Sequence, residues 1–122
     1  MQRNVITHIR RHLGDPDLRT SSVARALGIS PRSVQSVFEH LSTTASAFIV
    51  QARLQKAAER LTADRKGSVT ALAFDCGFSD SAYFSRCFRH YFGVSPREYR
   101  LQGHTASAPR RGAALAEPEP DE

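Results

Sequence analysis

The chain has little of what marks membrane, secreted or sheet-forming proteins. No apolar run approaches the ~20 residues that a membrane-spanning helix needs. Met1-Gln2-Arg3-Asn4 leads into a mixed, charged segment rather than a continuous apolar stretch, so no targeting signal is read at the start. Only two cysteines occur. Cys76 and Cys87 stand eleven residues apart in apolar surroundings, which fits neither a disulfide framework nor a paired CxxC metal site, and they read as small core residues. No segment sustains the period-two alternation of a half-buried strand. Nor do acid, base and nucleophile converge as an active site would require, which argues against an enzyme and gives no reason to expect a cofactor. What remains is a soluble, cytoplasmic, all-helical protein.

The 122 residues suit one compact domain, or two very small ones sharing a long helix, and 40% hydrophobic content suffices for a core. The formal net charge is +5, unevenly placed. Residues 103–122 hold Arg110 and Arg111 against Glu117, Glu119, Asp121 and Glu122, a balance of −2, so residues 1–102 carry +7. Such an excess attracts polyanions, although surplus surface arginine is an equally good account while charge stands alone. The last twenty residues, rich in Ala, Pro, Gly and acid without apolar periodicity, are expected to be a disordered tail.

Apolar spacing predicts about seven helices in the remainder. Val5, Ile6, Ile9 and Leu13 line a first helix that Gly14 and Pro16 end. A second starts at a capping Thr20 or Ser21, buries Val23, Ala24 and Leu27, and stops at Gly28. Ser30-Pro31 supplies an N-cap and first-turn proline for a third, faced by Val34, Val37, Phe38 and Leu41. A long connecting helix over residues 46–64 places Leu54, Ala57, Ala58 and Leu61 on one side and Arg53, Lys56 and Arg60 on another. Ser68 caps a fifth helix through Cys76, and Ser79 or Asp80 caps a sixth carrying Phe84, Cys87, Phe88 and Tyr91. Ser95-Pro96 opens a short final helix through Tyr99.

The chain repeats itself. Val23-Ala24-x-x-Leu27-Gly28-Ile29-Ser30 recurs as Leu72-Ala73-x-x-Cys76-Gly77-Phe78-Ser79 at an offset of 49. Phe38 then answers Phe88, Thr43 answers Gly93 and Ile49 answers Tyr99 at an offset of 50. Each copy follows the logic of a helix-turn-helix: a small residue (Ala24, Ala73) where two helices approach, a glycine where the turn needs positive φ, and apolar residues that lock the second helix. One match would be weak, since many helical hairpins share it. Two at a nearly fixed offset, joined by a helix with a basic side, point to DNA. The expected architecture is a first subdomain over 1–45, a linker helix over 46–64, a second subdomain over 65–102 and the tail over 103–122. The added residue in the second copy implies a longer turn or a shifted cap.

Three stretches resemble a known family. Leu72-Ala73-x-x-Cys76-Gly77-Phe78-Ser79-Asp80, Tyr83-Phe84-Ser85-Arg86-x-Phe88-Arg89 and Phe92-Gly93-Val94-Ser95-Pro96-x-x-Tyr99-Arg100 resemble the C-terminal signature of the AraC/XylS transcription regulators. Arg53-Leu54-x-x-Ala57-x-x-x-Leu61 is similar to that family's linker helix, and the resemblance spans roughly residues 4–101. It implies two recognition helices entering successive major-groove segments of double-stranded DNA, ~34 Å apart as paired readers require. It further implies a bacterial regulator, more often an activator than a repressor, that is nucleoid-associated when bound and has RNA polymerase as a possible second partner. Such regulators usually carry a separate effector or dimerisation domain, which this sequence does not contain.

Carried over by the motif, the base-facing positions are Arg32, Gln35 and Ser36 on the first recognition helix and Ser81, Ala82, Ser85 and Arg86 on the second. Arg32 and Arg86 suit a bidentate pair with guanine, or else a phosphate, and Gln35 suits adenine, or else solvent. The Ala82 methyl can touch thymine but cannot hydrogen-bond. Ser30, Lys56, Arg60 and Arg89 are candidate phosphate contacts, with Ser30 equally readable as a cap, while Arg53 reads as a brace between subdomains. Thr43 and Ile49 depart from the family's usual glycine and tyrosine, which leaves the end of the first recognition helix less sharply set. His8 and His12 have ligand spacing but no third ligand, so no metal site is assigned. Two readings of other kinds stand beside DNA-dependent regulation: the DNA-binding part of a DNA-repair methyltransferase, which would need a reactive cysteine, and a helical protein-interaction module.

Overall fold

The computed structural model describes residues 1–102; the tail expected over 103–122 lies outside the described residues. Seven helices follow in order: α1 Gln2–Arg11, α2 Thr20–Leu27, α3 Pro31–His40, α4 Ala45–Ala63, α5 Val69–Asp75, α6 Ser81–Phe92 and α7 Pro96–Gln102. None of the described helices is long and apolar enough to cross a membrane.

Two cores form, and α4 belongs to both. Val5 and Ile9 of α1, Val23 and Ala24 of α2, and Val34 and Phe38 of α3 close the first, with Ala45 and Ile49 from the start of α4. The second gathers Leu54, Ala57, Ala58 and Leu61 from the rest of α4 around the aromatic side of α6 and Tyr99 of α7. At 19 residues, α4 spans about 28 Å at 1.5 Å per residue, so one rigid rod crosses from core to core. The second core is a run of rings: Phe78 lies 4.9 Å from Phe84, Phe84 5.7 Å from Phe88 and Phe88 4.5 Å from Phe92, while Tyr99 meets Phe88 edge-on at 5.4 Å. Offset and edge contacts of this kind add specific geometry to apolar burial.

Short polar residues set most helix starts. The Ser30, Thr44 and Ser68 hydroxyls accept from the backbone N–H groups of Ser33, Ala47 and Ala71, and one Asp80 carboxylate oxygen accepts from both Ala82 and Tyr83. Ser95 and Glu98 exchange side-chain acceptors reciprocally at 2.9 and 3.1 Å, which holds the Glu98 carboxyl below its usual pKa. The start of α2 differs from the expected Thr20 or Ser21 cap. Arg19 occupies the N-cap position with extended backbone, and Ser22, one turn on, reaches back to accept from the Arg19 N–H at 2.9 Å. The N–H of the N-cap residue is thus satisfied from inside the helix.

The repeat is visible in the turns. Gly28 and Gly77 both have positive φ, +69° and +104°, and the residues after them, Ile29 and Phe78, donate to the carbonyls of Ala24 and Ala73. The second recognition helix then starts one residue later, because Asp80 caps α6 three positions after Gly77 whereas Ser30 caps α3 two positions after Gly28. The extra residue is therefore a lengthened turn, and Ser79 fills it. At the far ends the copies also differ. Gly93 takes φ +84° and closes a 12-residue α6, while in the first copy the left-handed residue is Ser42, at φ +59°, and α3 stops after 10. Thr43 stands where the glycine would be, and a β-branched residue resists that conformation, so the chain turns one position early.

Candidate nucleic-acid interface

Helices α3 and α6 each bury one side and present the other. Val34, Val37 and Phe38 turn into the first core, leaving Arg32, Gln35 and Glu39 exposed and Ser36 half-buried beside them. On α6, Phe84, Cys87 and Phe88 are buried, Ala82, Ser85 and Arg89 are exposed, and Ser81 and Arg86 are half-buried. The stripe at i, i+3, i+4 and i+7 is therefore Arg32, Gln35, Ser36, Glu39 on one helix and Ala82, Ser85, Arg86, Arg89 on the other, in register at the 50-residue offset. Every residue expected to face bases thus lies on an outward or half-outward surface of its helix.

The two stripes differ in chemistry. Arg32 and Gln35 place long donors on α3, and the Ser36 backbone carbonyl lies 2.8 Å from the His40 ring nitrogen. Arg86 leans on a neighbouring ring, its guanidinium carbon 5.8 Å from the centre of Tyr83, a geometry that restrains a long side chain before it meets a ligand. The N-terminal turn of α6 is held by the doubly accepting Asp80, and Ser81 and Ala82 follow directly. Glu39 is a candidate that the motif did not single out. Its counterpart Arg89 at the same offset was the available signal, and an exposed carboxylate there can accept from a cytosine amino group.

The residues expected at phosphates fall into different settings. Ser30 is exposed, yet its hydroxyl already caps α3 and bonds Ser33 Oγ at 3.0 Å. Lys56 is exposed on α4. Arg60 lies 3.5 Å from Asp75, and Arg89 lies 3.6 Å from Glu98. Both pairs are solvent-accessible and screened by water, and so open to exchange for a stronger anion. Arg53 leaves the basic face altogether: it is buried, donates from Nε to the Leu13 carbonyl at 2.9 Å and from Nη2 to the Asp15 carbonyl at 2.7 Å, and sits 6.0 Å from the Phe78 ring centre. It joins the α1–α2 loop of the first unit to the turn of the second. Burial pulls the guanidinium below its ordinary pKa and nearby Asp15 opposes that.

The remaining sequence candidates are structural. Cys76 and Cys87 are buried in the second core, and burial pushes the Cys76 thiol up, away from the thiolate that methyl transfer would require. That removes the support for the repair-enzyme reading. His8 and His12 stack at 4.2 Å, with His12 Nδ1 bonded to the His8 carbonyl. No group of three potential metal ligands forms among the described residues.

A family described as a helix-turn-helix domain matches residues 23–102. The transcriptional activator NphR of a Rhodococcus species is 41% identical over 94 residues, covering 77% of this chain and 28% of that protein. The transcriptional activator RhaS of Escherichia fergusonii is 40% identical over 87 residues, covering 70% and 31%. The chain thus spans less than a third of the length of these curated relatives. Among solved structures, the C-terminal domain of AraT, a response regulator from Geobacillus stearothermophilus, superposes with a TM-score of 0.78 at 29% identity, covering 83% of this chain and 84% of that one. A transcriptional regulator from Chromobacterium violaceum, described as AraC-type DNA-binding, gives 0.74 at 27% identity, covering 84% and 90%.

Proposed function

The chain belongs to the AraC-type helix-turn-helix family, and on that premise we propose that residues 1–102 are the sequence-reading part of a DNA-binding transcription regulator, most often of the activating kind. The observation that carries the reading is the pair of outward stripes on α3 and α6, in register at one offset and mounted on a single continuous helix. In the proposed complex each recognition helix enters a major-groove segment. Arg32 and Gln35 supply hydrogen bonds to guanine and adenine in one half, Arg86 and Ser85 read the other, and Ala82 meets a thymine methyl. Ser36 and Ser81 flank these contacts, and Lys56, Arg60, Arg89 and Ser30 are assigned to phosphates, which set register rather than sequence. A cytoplasmic, nucleoid-bound location and a contact with RNA polymerase belong to the same proposal.

Selection of bound duplexes from a random pool at ~150 mM salt, where non-specific attraction is weakened, tests it. A two-part preference is expected. Arg32→Ala and Arg86→Ala should each relax the preference in a different half, with a loss of ~1–3 kcal/mol of discrimination at one position and the halves about one helical turn apart. Absence of any sequence preference would end the proposal. Uniform weakening by both substitutions would reassign these arginines to phosphates.

A further inference from the structure

We infer that Arg53 is a positioning residue for two-part reading: with the Gly77 turn it locks the two helix-turn-helix units at one angle and so fixes the half-site spacing the protein accepts. The inference rests on the proposed DNA-reading function and adds to it the device that sets operator geometry.

Arg53 stands at the middle of α4, where burial passes from Ile49 in the first core to Leu54 in the second. Its side chain ties elements that α4 alone would leave attached only through its two ends. Nε and Nη2 hold the Leu13 and Asp15 carbonyls of the first unit, while the other side of the guanidinium meets Phe78 of the second. Close approach of the two loops is built into the backbone. A Cβ on Gly77 would lie 2.0 Å from the Leu13 carbonyl oxygen and 2.6 Å from Arg53 Nε, and one on Gly14 would lie 3.3 Å from the Asp75 carbonyl oxygen. At Gly28, the equivalent turn of the first unit, a Cβ would meet nothing within 4 Å. Both turns need glycine for positive φ, yet only the second also needs it for docking.

The clamp lies a short covalent step from each recognition helix. The Gly77 turn runs into Asp80 and α6, and the loop holding Leu13 and Asp15 runs into α2, which packs on α3. A single connecting helix fixes a distance; a second attachment away from its axis also fixes the angle. Arginine suits the place because its planar fork serves two carbonyls at once, which the single ammonium of lysine does less well.

The test compares wild type, Arg53→Met and Arg53→Lys on the selected two-part duplex, on duplexes with one base pair added or removed between the halves, and on each half alone. One base pair shifts the second half by about 3.4 Å and turns it by about 35°. Wild type should lose roughly tenfold or more in affinity for either altered spacer, whereas R53M should bind all three within about threefold and each isolated half within about twofold of wild type. R53K should fall between them, and it carries the comparison if R53M does not fold. A wild-type spacing profile in the folded variants overturns the inference. The free protein gives an independent readout through spin-label distances between exposed positions 10 and 97, outside both recognition helices. A narrow distribution that broadens in R53M or R53K is expected, and equal widths overturn the clamp. If wild type shows no sequence preference while the distances behave as expected, it is the DNA-reading proposal that fails.

Discussion

Two glycines that occupy the same place in the repeat should have very different tolerance for alanine. At Gly28 the backbone is left-handed, φ +69° and ψ +32°, and the site for a Cβ is open. Gly28→Ala therefore bears the ~1–2 kcal/mol of an L-residue in that region, offset by the ~0.4–1 kcal/mol that a stiffer unfolded chain returns, for a net loss near 1 kcal/mol. At Gly77 φ is +104° and the added carbon would stand 2.0 Å from a backbone oxygen that cannot swing aside as a side chain does. Backbone strain there costs ~1–3 kcal/mol. Separating the loops also strands at least one of the two Arg53 hydrogen bonds, at ~1.5–3 kcal/mol for a charged donor, so Gly77→Ala should lose about 3–6 kcal/mol. In a domain whose whole stability is ~5–15 kcal/mol, that approaches unfolding. Thermal and urea denaturation followed by circular dichroism reads the difference. At ~4–8 °C per kcal/mol, Gly28→Ala should lower Tm by less than ~10 °C and Gly77→Ala by ~12 °C or more. Costs within ~1 kcal/mol of each other would refute the docking role given to the second turn, as would a Gly28→Ala protein that fails to fold while Gly77→Ala folds.

Two further outcomes follow from the surface. Lys56→Ala and Arg89→Ala should weaken DNA binding evenly across sequences and lower the slope of log affinity against log salt by about one each, measured by titration at several salt concentrations; a sequence-dependent loss would move either residue to a base contact. Burial and the stacked His12 hold the His8 pKa below its ordinary 6.5. The unfolded chain then binds the proton more readily than the fold, so this contribution to stability is present above pH 6.5 and is lost as pH falls through the lower folded value. Melting curves between pH 7.5 and 5.5 should show a steeper decline for wild type than for His8→Gln, and parallel curves would exclude the effect.

Much of this fold was legible because its signals are local. Ser30-Pro31 and Ser68 announce helix starts by chemistry that needs only the next turn, and Gly28, Gly77 and Gly93 announce left-handed stops that no other residue adopts as easily. Where three hydroxyl residues run together, as Thr20-Ser21-Ser22, composition could not choose among them, and Ser22 acts on the residue before all three. The repeat pairs Thr43 with Gly93, but a β-branched residue resists positive φ, so Ser42 takes the left-handed position, and a match of residues between copies does not carry φ angles with it. Least legible was how the stripe of Arg53, Lys56 and Arg60 divides, since periodicity presents it as one basic side even where Arg53 reads as a brace. Tertiary packing divides it into a buried clamp, an exposed cation and an ion pair with Asp75. The partners of Arg53 are backbone carbonyls from a distant loop, and carbonyls leave no mark in a sequence. Bracing could be suspected; its acceptors could not be named.

The same contrast separates the halves of the proposed reader. The second unit is the more heavily braced: a carboxylate caps α6 through two N–H groups, a glycine closes it, three rings pack in a row along its inner side and Arg53 abuts its turn. Its outer stripe pairs the short Ala82 and Ser85 with Arg86, which is half-buried, and Arg89, which lies beside Glu98. The first unit ends its recognition helix two residues shorter and turns without glycine, yet exposes Arg32, Gln35 and Glu39. A hydrogen bond to a base edge discriminates only if the donor arrives at a fixed place, since bases are separated by ~3.4 Å and a loose reader samples neighbours. Chemistry on the first helix therefore draws its accuracy from order in the second, transmitted through α4 and Arg53. On this reasoning Arg53→Met should blur preference most in the half read by Arg32 and Gln35, although the substitution touches neither helix. Base-by-base selection with that variant distinguishes the outcome from uniform loss, which would mean that each unit orders its own recognition helix.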